Sequence, residues 1–166
     1  MPETSPIRPT DQMARTRARD LIDAARFGSL GVIDPETGAP MVSRIAVGTT
    51  PDGAPVMLVS DLSNHTKALK ANPACSLLVG EPQDRGDPLT HPRLTLQGTV
   101  RFLRNGDAGH AELRARYLES HPKSKLYIDF ADFSFACMTV TIAYLNGGFG
   151  KAFVLTPKDL AAPSDR

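Results

Sequence analysis

A mostly antiparallel β-barrel with a few peripheral helices is the fold this sequence predicts. Strand-like segments come in runs joined by Pro/Gly turns, helical segments are few, and no strand–helix–strand alternation appears. A chain of 166 residues has the size of one domain. It buries enough surface to stand without a disulfide or a structural metal.

The elements follow in order. Residues 1–9 are polar and carry three prolines, so they are expected as a flexible arm rather than a signal peptide. Thr10 is the expected N-cap of a helix with Asp11 in its first turn. Met13, Ala14, Ala18, Leu21, Ile22 and Ala25 recur at helical spacing, and Gly28 is the expected stop. Strands are expected at 29–34, 41–50 and 55–60, joined by Asp34-Pro35-Glu36-Thr37-Gly38 and Pro51-Asp52-Gly53-Ala54. In both turns a Pro presets φ and a Gly tolerates a positive one. The two hairpins place Arg44 beside the strand that ends at Ser60.

A short helix, 64–72, opens at Asn64 as cap and closes before Pro73. An apolar strand, 74–80, precedes a long Pro-rich loop, 81–92, of a length often tied to function. The clearest strand is 93–102. There Arg93, Thr95, Gln97, Thr99 and Arg101 alternate with Leu94, Leu96, Gly98, Val100 and Phe102, giving one polar and one apolar face. A helix over 107–121, a long strand over 133–145, a Gly147-Gly148 turn and a last strand over 149–155 complete the pattern. Residues 10–160 form the expected domain, and 161–166 a tail.

Composition narrows the partners. With 19 basic and 18 acidic residues the net charge is +1, which gives no case for nucleic acid or an anionic membrane. No apolar stretch reaches the length of a membrane span, so a soluble, cytoplasmic protein is expected. Cys75 and Cys137 lack the partners of a zinc or redox motif and are expected as buried free thiols, with no metal site.

One segment carries chemistry: Asp61-Leu62-Ser63-Asn64-His65-Thr66-Lys67. The first turn of a helix leaves N–H groups unpaired and carries partial positive charge. Here it also offers a hydroxyl, a cation and an imidazole, the groups that hold a phosphate. Arg44, inside a strand, supplies the guanidinium that suits a phosphate bidentately.

These residues, with Met41-Val42-Ser43-Arg44-Ile45-Ala46, Asn72-Pro73-Ala74-Cys75-Ser76-Leu77-Leu78-Val79, Asp87-Pro88-Leu89-Thr90-His91-Pro92-Arg93-Leu94-Thr95-Leu96-Gln97-Gly98 and Gly147-Gly148-Phe149-Gly150-Lys151-Ala152, carry a resemblance. The chain resembles the FMN-binding split barrels related to pyridoxamine 5′-phosphate oxidase, in the branch that includes haem-utilisation proteins. The resemblance implies an antiparallel split β-barrel with peripheral α-helices and a homodimer with FMN at the subunit interface. It further implies that Arg44, His65, Thr66 and Lys67 hold the FMN phosphate, with Asn64 also among the cofactor-binding residues. Ser43, Arg44, Ile45, Ala46 and Val47 would run beside the flavin ring, near Ser60, with Arg93, Gln97 and Lys151 as further contacts. The leading expectation is an FMN-dependent oxidoreductase acting on an unknown small molecule. The alternatives are a haem-binding or haem-degrading protein on the same scaffold, or a non-catalytic module for flavin or F420. The Trp-containing substrate signature of the true oxidases is not recognisable, and the chain has no Trp.

Overall fold

A computed structural model describes residues 5–148 and 150–162. Helix α1 spans Gln12–Ala24, followed by strands β2 (Phe27–Ile33), β3 (Pro40–Thr49) and β4 (Pro55–Ser60). Helix α2 (Asn64–Ala71) leads into β5 (Ala74–Val79) and β6 (Arg93–Leu103). Helix α3 (His110–Ser120), the long strand β7 (Phe133–Asn146), β8 (Ala152–Leu155) and the one-turn helix α4 (Pro157–Leu160) complete the chain. Strand β1 is the dipeptide Ile7–Arg8, laid parallel to β8 within the stretch expected as an arm. Of the expected tail, 163–166 lie outside the described residues, as does Phe149.

Strands β7, β4, β3, β2, β5 and β6 pair in that order, and β6 returns to β7, which closes a six-stranded barrel. The strands are antiparallel throughout the ring. Strand β7 has three neighbours. Strand β6 runs beside it from Phe135 to Asn146. On the other edge β4 pairs with Phe133–Cys137 and β8 with Ala143–Asn146. Between those two partners the barrel wall is split. Leu30, Val47, Val59, Leu77, Leu94, Leu96, Ala136 and Leu145 fill the interior, and Ala14, Ala18 and Ile22 seal it with one face of α1. A second, smaller core lies outside the barrel, where α3 and the turn after it bring Leu113, Tyr117 and Ile128 onto Leu58, Leu103 and Phe135.

Three expectations are corrected. The cap of α1 is Asp11, whose carboxylate accepts the Ala14 N–H at 2.8 Å. Thr10 instead donates its hydroxyl to the Val154 carbonyl. Gly28 does not end that helix; it lies within β2, where a Cβ would stand 2.7 Å from the Leu78 carbonyl oxygen. Finally, β3 pairs with β4 only over Val47–Thr49, so Arg44 does not lie opposite Ser60. Both cysteines are free and buried, as expected.

Candidate functional site

The first turn of α2 lies against β3. The N-cap is Ser63 rather than the expected Asn64, which is the first helical residue; Ser63 is extended and makes no side-chain cap bond. The His65 Nδ1 lies 3.5 Å from the Ser43 hydroxyl, on the stretch of β3 that has left β4. Thr66 is fully buried, and neither its Oγ1 nor the His65 Nε2 has a hydrogen-bond partner among the described residues. Burial alone holds the His65 imidazole below its ordinary pKa. Asn64 and Lys67 are exposed. Among the described residues Lys67 makes no ion pair, whereas Lys70, one turn on, is held by Asp61 at 2.7 Å. Asp61 also receives the Arg104 guanidinium, and the Lys70 and Arg104 contacts together pull its pKa down against a desolvation cost. The Ser60 hydroxyl is engaged as well, donating to Asp132 at 2.6 Å.

Arg44 points the other way. Residues directly opposite in a ladder share a sheet face, and successive residues alternate faces. Ser43, Ile45 and Val47 are on the inner side of β3, with Ile45 and Val47 in the core. Arg44 and Ala46 face out. One row on the outer face runs Arg44, Ser29, Leu78, Thr95, Tyr144 across β3, β2, β5, β6 and β7. The next row runs Val42, Gly31, Ser76, Gln97, Ile142. Arg93, two residues before Thr95, shares this face. The structure therefore brings Arg44, Arg93 and Gln97 onto one surface and gathers Ser43, His65 and Thr66 at another.

That outer surface is apolar between its cations. Val42 is 69% exposed, and Phe27, Ile33, Leu78 and Tyr144 are between 37% and 43% exposed. The Arg44 guanidinium stands 5.6 Å from the centre of the Phe27 ring. A groove of about 550 Å³ runs over this face between Ile33, Val42, Ser76 and Gln97. A bulge in β7 at Thr141, opposite Gln97 and Gly98, borders it. Arg93 donates to the Leu89 carbonyl at 2.9 Å and so ties the 81–92 loop to the rim. Lys151 is exposed in the tight turn between β7 and β8, its N–H donating to the Gly148 carbonyl.

The apolar members of this surface were not legible as functional, because Phe27, Val42, Leu78 and Tyr144 are the residue types that strands also send inward. The one available signal was parity, since each shares the odd or even phase of a polar neighbour such as Ser29, Arg44 or Ser76.

Comparisons with known proteins show the family and the fold. The family model described as CREG, beta-barrel matches residues 9–161. Over 118 residues the chain is 38% identical to the Non-canonical heme oxygenase HOZ, chloroplastic, of Arabidopsis thaliana, covering 70% of this chain and 35% of that protein. The chain thus spans about a third of the length of the curated relative it matches. The solved heme binding protein from Mycobacterium smegmatis superposes with a TM-score of 0.80 at 31% identity, over 93% of this chain and 61% of that one. A Clostridium acetobutylicum protein of the pyridoxinephosphate oxidase family superposes at 0.68 and 17% identity, over 91% of this chain and 99% of that one, a likeness of fold alone.

Proposed function

Because the chain belongs to the CREG β-barrel family, in the haem-utilisation branch of the split barrels, we propose that it binds haem on the outer face of β3, β2, β5, β6 and β7. The observation that carries this reading is the chemistry of that face. A planar apolar macrocycle with two carboxylates calls for an exposed apolar wall and nearby cations. Phe27, Val42, Leu78 and Tyr144 provide the wall, and Arg44 and Arg93 provide the cations. Bound haem would supply a redox-active iron. The chain's part is to exclude water from the macrocycle and to pair its acids. An exposed apolar surface of this kind is unusual on a monomer, and the occupant that covers the rest of it is a second copy of the chain.

A second reading has its own observation. The orphaned Thr66 hydroxyl, the buried His65 Nε2 and the unpaired Lys67 at the start of α2 suit the phosphate of FMN. In that case β3 from Ser43 to Val47, free of β4 up to Ala46, would run beside the flavin ring, with Gln97 and Lys151 contributed across the dimer.

Parallel titrations with hemin and FMN decide between them. The expected result is a saturable Soret shift at one hemin per chain, weakened by Arg93→Ala, with no stoichiometric flavin in the purified protein. Linear, unsaturable hemin uptake together with one-to-one FMN binding that Lys67→Ala weakens would overturn the haem reading in favour of the flavin.

A further inference from the structure

We infer that Tyr144 is the residue of this chain that ligates the haem iron. This rests on the haem reading above and adds to it the identity of the iron ligand. A protein ligates haem iron through a histidine nitrogen, a cysteine thiolate, a methionine thioether or a tyrosine phenolate.

The described histidines are committed elsewhere. In His91 the Nδ1 accepts the Gln83 N–H and the Nε2 faces the Arg85 carbonyl, each at 2.8 Å, inside the 81–92 loop. His121 donates from Nε2 to the Val47 carbonyl and stacks on Tyr117. His110 is 4% exposed and lies against Phe135 in the outer core. His65 has its Nε2 enclosed behind β3. Both thiols are buried, and desolvation pushes that of Cys75 up to about 11, out of reach of a thiolate. The one strongly exposed described methionine, Met13, is on α1, away from this face.

Tyr144 differs on each count. It is 43% exposed, and its hydroxyl has no hydrogen-bond partner among the described residues. It stands in the row that begins at Arg44, between Thr95 on β6 and Val154 on β8. Arg93 is the diagonal neighbour on the same face, about 7–8 Å away between Cα atoms. An anionic oxygen ligand stabilises ferric over ferrous iron. Tyr144 would therefore favour haem in its ferric state.

The test is hemin titration of the full chain followed by absorbance and electron paramagnetic resonance, with wild type, Tyr144→Phe, Tyr144→His and, as a control, Tyr127→Phe. Wild type is expected to give a high-spin ferric signal with a phenolate-to-iron charge-transfer band. Tyr144→Phe should lose that band and at least about tenfold in affinity. Tyr144→His should change the spectrum to a histidine-ligated one, and Tyr127→Phe should leave it unaltered. Saturable binding to Tyr144→Phe with the wild-type spectrum overturns the assignment of Tyr144 and leaves the haem reading standing. Absence of saturable binding to wild type overturns both.

Discussion

A Cβ built on Gly98 would overlap the carbonyl oxygen of Thr139 on the neighbouring strand, whereas one built on Gly31 would stand 3.7 Å from the nearest atom. Both glycines are in strands that border the outer groove, and neither needs a positive φ. The difference is therefore one of room. At Gly98 the backbones of β6 and β7 close up beside the bulge, where Thr141 donates its hydroxyl to the Gln97 carbonyl. Gly98→Ala must force the ladder apart and is expected to cost at least about 2 kcal/mol, while Gly31→Ala should stay within about 1 kcal/mol. Urea unfolding of the two variants checks this, and equal midpoints would mean that the bulge yields without cost.

Helix α2 is seated by burial of Thr66, Ala68 and Leu69 and by the contact of His65 with Ser43. Burial lowers the His65 pKa from its ordinary 6.5, so the unfolded chain binds a proton there more readily than the folded one. Stability from this seat is complete above that ordinary value and is lost as pH falls through it. Between about pH 7.5 and about pH 5.5, His65→Gln should lose less of its urea midpoint than wild type does. Parallel losses would show that the imbalance lies in other groups. The seat also marks where reading from sequence stopped. The helix and its motif were legible because Asn64, His65, Thr66 and Lys67 follow a strand and precede Pro73. The alternation of β6 was equally plain. What alternation along one strand does not reveal is which neighbour a face meets. Ser43 and Arg44 are adjacent in the chain, yet Ser43 meets α2 while Arg44 meets Phe27. The cap of α1 fell to Asp11 rather than Thr10 because a distant strand claimed the threonine hydroxyl. Gly28 carries the same residue signal for a helix stop as for a close strand passage, and only the partner strand distinguishes the two.

At the scale of the molecule the barrel has two unlike exteriors. One is padded by α3 and the turn after it, with Tyr117 and Phe135 between. The other is the open apolar face, and a second copy is its proposed cover. Val42 is the most exposed of its apolar side chains. Val42→Glu should change the stability of the single chain by no more than about 0.5 kcal/mol while placing a carboxylate in the proposed interface. Sedimentation velocity is expected to find wild type as a dimer and the variant as a monomer. A wild type that sediments as a monomer, or a variant that still pairs, would place the contact elsewhere.

Strand β7 has a consequence for how the polypeptide reaches this state on the ribosome. Its partners β4 and β6 are made long before it, and each must wait with one edge bare until residues 133–146 emerge. Closure depends on joining segments far apart in the chain, such as Ser60 with Phe133, which makes for slow folding. The nascent chain is therefore most prone to sticking to its neighbours until residues 133–146 are free to join β4 and β6.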